Sequence, residues 1–320
     1  MGDTEIEMGI GATLKNIFSS VKFLPFDLGE SDISLILVGM GRSGTTWAGN
    51  IINYDNDYRV LFEPFLPAKV NEAKGFKYIQ YLNPDCINMT LANHASISLA
   101  GKIQNDWVDR GNSRFFYRHR MLKDIRCNLM IGWLKKVANN PPVVFMIRHP
   151  LQVVSSWKKL GWGKEVAGNN SDFDIIMSQE SLLRDFPIIS EIVKEINRED
   201  FVQNIVFQWC IHHLIPSIHL RRQEDYALYY ENLITDPDQE VDKLFRYLEK
   251  PFNNKKVKKI LGNASSTNFQ QRDFRKSNTV NSWKDEFSDS QVEKTNEILA
   301  AFGLDNIYDT NGLTTGETII

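Results

Sequence analysis

The chain has 320 residues, 42% hydrophobic and 24% charged, with a net charge of −3. This excludes a disordered or fibrous chain, gives enough apolar material for one large core, and leaves no global attraction for nucleic acid, so any anion must be held by a few placed basic groups. No apolar run is long enough to span a bilayer, and the three scattered cysteines, Cys86, Cys127 and Cys210, point to a reducing compartment and away from a zinc site, so a cytoplasmic protein is expected.

In chain order, Ile10, Leu14, Ile17, Phe18 and Val21 fall at helical spacing, which makes residues 1–30 an amphipathic extension ahead of one domain over 31–309. Leu35–Val38 form an apolar strand, Gly39 to Gly44 a glycine-rich turn, and Trp47–Ile52 continue a helix. Val60–Phe62 read as a short strand ended by Glu63-Pro64, and residues 68–117 as helices and loops that include part of an acceptor pocket. Its candidate aromatics are Phe65, Tyr78, Tyr81, Trp107, Phe115, Phe116 and Tyr117, with Trp162 further on; each could equally fill core. A strand over Arg120–Ile125 and a helix over Leu129–Val137, with Trp133 inward, precede the continuous apolar run Val143–Ile147. Such a run suits a parallel strand covered on both faces. Pro150 opens a helix, Asp185–Ile196 and Phe201–Arg222 read as helices, Ala227–Tyr230 as a strand, Pro237–Leu248 as an amphipathic helix, and 310–320 as a frayed tail. Strands alternating with helices predict a P-loop-like, doubly wound α/β fold with a mainly parallel sheet flanked by helices.

The turn from Gly39 to Gly44 is a phosphate cradle: successive backbone N–H groups and the positive end of the next helix face an anion, and Gly39, Gly41 and Gly44 leave it open. Against the pattern G-x-x-x-x-G-K-[ST] the glycine spacing and the Thr46 hydroxyl fit, but Thr45 stands in the lysine's place. Without that lysine, and with no strand ending in a metal-binding Asp, hydrolysis of ATP or GTP is disfavoured, and the loop's charge sits on Arg42. Arg148 ends the buried strand, where open α/β sheets bind ligands, and Ser156 lies eight positions on along the next helix. The two could clamp one anion; a surface ion pair and a helix-filling serine are the plain alternative.

Arg42-Ser43-Gly44-Thr45-Thr46-Trp47 resembles the phosphosulfate loop of the sulfotransferase family, whose donor is 3′-phosphoadenosine 5′-phosphosulfate, PAPS. The resemblance implies that Gly41, Arg42, Ser43, Gly44, Thr45 and Thr46 bind the donor's 5′ end, that Trp47 stacks on adenine, and that Arg148 and Ser156 clamp the 3′-phosphate. Tyr230 would lie beside adenine, or only pack its ring; Arg275 and Lys276 would close over the 3′-phosphate. That last stretch lacks both glycines of the family pattern and is one residue shorter, so a solvated basic loop competes. Glu63-Pro64 is similar to the carbohydrate and tyrosyl-protein branches, which implies Glu63 as proton acceptor, while Lys123-Asp124 resembles a Lys-Asp pair whose lysine touches the transferring sulfate and whose Asp supports it. His119 competes as base; His212, His213 and His219 read as packing or surface residues. The expectation is an enzyme that needs no metal and moves a sulfuryl group in line to a hydroxyl or amine, with a carbohydrate-like or other large acceptor favoured. A P-loop kinase and a catalytically silent nucleotide-binding module are the rivals.

Overall fold

The computed structural model describes residues 26–27, 33–163, 171–262, 280–317 and 319–320. The expected helix over Ile10–Val21 and the pair Arg275 and Lys276 lie outside them. β1 (Phe26–Asp27) pairs in parallel with β4 (Phe116–Tyr117) as a small separate patch. The main sheet contains β2 (Leu35–Gly39), β3 (Tyr58–Phe62), β5 (His119–Asp124), β6 (Val143–Ile147) and β7 (Tyr226–Tyr229). Its order is β3-β5-β2-β6-β7, and every pairing is parallel.

Alternation along the strands splits the core into two. Leu35 and Leu37 of β2, with Val144 and Met146 of β6, pack on one face beneath α1 (Thr45–Ile52) and α10 (Pro237–Tyr247), while Ile36, Val38, Phe145 and Ile147 pack on the other. Both faces are therefore covered, which is why these strands read as unbroken apolar runs. The second face carries α3 (Ile131–Val137), α4 (Pro150–Leu160) and α8 (Phe201–His219), with Trp133 fully inside as expected. α8 starts at the Asp200 cap, whose carboxylate accepts from the N–H groups of Val202 and Gln203, and ends at His219, short of the expected Arg222, because Pro216 lies in its last turn and Leu220 is extended.

The helix expected over Asp185–Ile196 is broken. α6 (Glu180–Asp185) stops before Phe186, and Pro187 opens α7 (Pro187–Ile192), since a residue preceding proline is pushed out of helical geometry. β3 begins at Tyr58, earlier than expected, because Arg59 is buried in the strand against Asp109 at 2.9 Å, a polar residue that masks the apolar pattern. The chain expected to fray beyond Asp309 folds back instead: Thr314 bridges to Tyr308, its hydroxyl donates to Asn232 at 2.7 Å, and the Ile319 N–H donates to the Tyr229 hydroxyl at 3.1 Å. Threonine and asparagine here serve as hydrogen-bonding partners for the last strand's exit, a use that composition does not reveal.

Candidate active site

The carboxyl ends of all five strands converge on one edge of the sheet. β2 delivers the turn Met40–Gly44, β3 delivers Glu63, β5 ends in Lys123 and Asp124, β6 is followed by Arg148, and β7 by Tyr230. β2 has β5 on one side and β6 on the other, so the turn stands at the switch point of strand order, where α/β sheets form their crevice.

At the turn, Arg42 is held at φ 74° and Gly44 at φ 102°. The left-handed backbone at Arg42 turns its side chain out of the loop and across to α4, where Nε donates to the Ser156 hydroxyl at 3.0 Å. Arg148 reaches back from β6: one guanidinium nitrogen donates to the Arg42 carbonyl and the other to Gln152, both at 3.1 Å. Burial, and then the charge of Arg148, lowers the pKa of Arg42 from its ordinary value, a pairing of like charges that a bound anion would relieve. The Ser43 hydroxyl and Arg148 Nε are buried without a partner among the described residues, so the corner has unspent donors that suit a phosphate. Trp157 and Trp209 fix the corner's backbone by donating to the carbonyls of Gly41 and Arg148, each at 2.9 Å.

The glycines also have a packing role that their spacing does not announce. A Cβ at Gly39 would lie 2.5 Å from the Met146 carbonyl of β6, and one at Gly44 would lie 2.8 Å from the Tyr230 ring. They permit close approach of the turn to its own neighbours. The adenine-side candidates form an aromatic corner: Trp47 and Tyr230 have ring centroids 5.4 Å apart, and the Arg148 guanidinium lies 4.1 Å from the Tyr230 centroid. Trp47 is also deeply buried and donates to the Ile260 carbonyl at 3.4 Å.

On the other side of the turn, Glu63 occupies left-handed backbone at φ 43° and is buried. Its N–H donates to the Lys123 carbonyl at 2.9 Å, which extends the β3–β5 pairing by one step, and its Oε2 meets Arg126 at 2.5 Å. Arg126 also donates to the Tyr78 hydroxyl at 2.7 Å, and its own N–H donates to Asp124 at 2.7 Å. Burial drives the Lys123 ammonium down to about 8 against the opposing pull of Glu63 and Asp124, and raises Asp124 to about 7. A buried carboxylate, a buried ammonium and a phosphate-type corner thus share one crevice.

The family model for the sulfotransferase domain matches residues 32–310. The chain belongs to the sulfotransferase family. Membership makes it a PAPS-dependent sulfotransferase, the enzyme class and donor that the loop motif implies. Among solved structures, a mouse sulfotransferase complexed with PAP is similar in fold, with a TM-score of 0.47 at 15% identity over 89% of this chain and 90% of the other. A sulfotransferase from Mycobacterium avium gives 0.46 at 14% identity over 93% and 82%, and the sulfotransferase domain of the Synechococcus PCC 7002 olefin synthase gives 0.45 at 13% over 89% and 96%. None of the curated proteins matches the chain's sequence.

In this sulfotransferase, sequence reasoning missed three residues. Arg126, which binds Glu63, carries no motif; only its position two residues after Asp124, suited to a side-chain-to-backbone turn, hints at it. Gln152 lies one helical turn beyond Arg148 and links it to the chain returning at Val280 and Ser282, at 3.0 and 3.2 Å. Glu231 is buried, where it accepts from the His149 N–H at 3.0 Å and the Tyr308 hydroxyl at 3.2 Å. The competing base, His119, is half-exposed beside Asp57 at 3.7 Å, at the opposite end of β5 from Lys123. His212 and His213 are buried and bond to Asn128 and the Trp209 carbonyl. Among the described residues no cluster could hold a metal ion. Of the candidate acceptor aromatics, Phe65, Tyr81 and Tyr117 are core, Phe115 and Phe116 are exposed at the amino end of β5, and Tyr78, Trp107 and Trp162 lie around the crevice.

Proposed function

We propose that this sulfotransferase moves the sulfuryl group of PAPS to a hydroxyl of a carbohydrate-like or other large acceptor, with Glu63 as base and Arg42 and Lys123 as the cations at the reacting group. The observation that supports this best is the 3.0 Å contact between Arg42 and Ser156, which joins the loop to the helix that follows Arg148, as a shared bisphosphorylated nucleotide would require. Gly41, Ser43, Gly44, Thr45 and Thr46 would hold the 5′ end, Arg148 and Ser156 the 3′-phosphate, and Trp47 and Tyr230 the adenine; Arg275 and Lys276 are kept as covering residues from the family pattern alone. When bound, PAPS supplies the sulfuryl group and the leaving bisphosphate.

Arg126 occupies Oε2 of Glu63 and fixes its direction, leaving Oε1 to receive the acceptor's proton. Lys123, next to it on β5, offers positive charge in a site poor in water, where such charge acts strongly on developing negative charge. The supply of fixed cations fits a transfer that proceeds without a divalent metal. A cytoplasmic location goes with this reading; among the described residues no helix is long and apolar enough to cross a membrane.

The test uses radiolabelled PAPS and a panel of hydroxyl acceptors. Glu63→Gln should lower transfer about 10²- to 10⁴-fold, the range for a general base, and Arg42→Ala about 10²-fold or more. Both variants should still be stabilised by adenosine 3′,5′-bisphosphate, Arg42→Ala less so than the parent. Transfer at the parent rate by Glu63→Gln would remove it as base. Stabilisation by ATP with Mg²⁺ in preference to the bisphosphate would turn the reading toward a kinase.

A further inference from the structure

Residues 105–112 lie along the free edge of β3. The Phe62 N–H donates to the Val108 carbonyl at 2.9 Å, the Val60 N–H donates to Asn112 Oδ1 at 2.8 Å, and Asn112 returns a bond to the Val60 carbonyl at 3.1 Å. Arg59 clamps Asp109 through two nitrogens at 2.9 and 3.1 Å. The segment is therefore pinned at three places, and Trp107 and Arg110 are set beside Phe62, the residue before Glu63.

What results is a shelf of alternating rings and cations that starts at the reacting corner. The Lys123 ammonium is 4.5 Å from the Phe62 centroid, and the Arg110 guanidinium is 4.3 Å from Phe62 and 4.6 Å from Trp107. The two rings meet edge-on at 5.2 Å, and the Lys69 ammonium is 5.5 Å from the Trp107 centroid. Burial falls along the shelf, from Lys123 inside, through half-buried Phe62 and Trp107, to exposed Arg110 and Lys69. Among the described residues Arg110 and Lys69 have no salt-bridge partner; Asp109 is taken by Arg59, and the exposed Asp106 is the one unpaired acid on the same segment. A guanidinium lying on aromatic faces is oriented in advance and keeps its N–H edge for a planar anion. Rings alone would suit a neutral sugar or phenol; unpaired cations ranged along them suit a charged one.

We infer that the acceptor is a hydroxyl compound bearing a carboxylate, a uronic-acid-like saccharide, whose acid group is received by Arg110 and Lys69 while its hydroxyl meets Glu63. This rests on the sulfotransferase reading of the Glu63 and Lys123 corner.

The test supplies radiolabelled PAPS with either methyl β-glucuronide or methyl β-glucuronamide, which share every hydroxyl and differ in charge. The acid should be preferred roughly tenfold in kcat/KM at low salt, and the preference should shrink at about 0.5 M NaCl as surface charges are screened. Arg110→Gln and Lys69→Gln should each bring the acid-to-amide ratio closer to one, with folding of each variant checked by its stabilisation with adenosine 3′,5′-bisphosphate. Equal rates for acid and amide, a ratio that neither variant moves, or no transfer to either compound would overturn the inference. Stabilisation by the bisphosphate in that last case would leave the donor reading standing, whereas its loss would remove both.

Discussion

Lys123 has a folded-state pKa of about 8, below its ordinary value of 10.5, because burial outweighs the attraction of Glu63 and Asp124. Its positive charge is therefore present at neutral pH and is lost as pH rises through about 8. If that charge meets the reacting sulfuryl group, the rate of labelled sulfate transfer should fall on the alkaline side with a midpoint near 8. Lys123→Arg, which cannot lose its proton in that range, should remove this limb even where it lowers the maximum. A profile flat to pH 9.5 in the parent would take Lys123 out of the reaction. Candidates for such roles could be named from sequence where a motif carried them, as at Arg42, Glu63 and Lys123, and the fold brings these residues to one edge of the sheet. Arg126 was not legible, because its importance comes from the β3–β5 pairing that sets Glu63 beside it, and neither residue's neighbours in sequence record that pairing.

The strand-and-turn unit from Leu35 to Gly44 shows the same division. Its strand and its turn follow from an apolar run and three glycines, and the structure has both, with the helix beginning directly after Gly44. What the glycines are for depends on a strand more than a hundred residues away. A methyl group at Gly39 would sit 2.5 Å from the Met146 carbonyl, a backbone atom of the paired strand that cannot swing aside. Gly39→Ala should therefore push β2 and β6 apart at the mouth of the crevice and destabilise the fold by about 1–3 kcal/mol, the usual cost of overpacking, as read from urea unfolding. Gly161→Ala is the control: its Cβ would meet nothing within 4 Å, so only its φ of 67° resists the change, and the loss should be about 1 kcal/mol.

At the scale of the whole molecule, the last third of the chain is tied to the crevice by buried polar contacts that no local pattern announces. Glu231 accepts from His149 and Tyr308, His149 stacks on Trp283 with centroids 4.6 Å apart, and Gln152 joins Arg148 to Val280 and Ser282. Burial raises Glu231 to about 7 from its ordinary 4.5, against the hydrogen bond from His149 and the charge of Arg148. A carboxyl group with a higher pKa folded than unfolded holds its proton more tightly in the fold between those two values. Its contribution is thus full below about 4.5 and is lost as pH rises through about 7, by up to roughly 3 kcal/mol. Buried His149, His212 and His213 work in the opposite direction, since burial lowers them to between about 3 and 4 and their neutral forms favour the fold as pH rises toward 6.5. The parent's own stability curve mixes these effects, so the informative quantity is the difference between the parent and Glu231→Gln, which keeps a side-chain oxygen for the His149 N–H but cannot ionise. Urea unfolding at pH 5 and pH 8 should show the variant less stable than the parent at pH 5, and that deficit should narrow or reverse at pH 8. A deficit equal at the two values would mean that Glu231 stays ionised throughout, and that the tie between β6, β7 and the returning chain is an ordinary charged hydrogen bond.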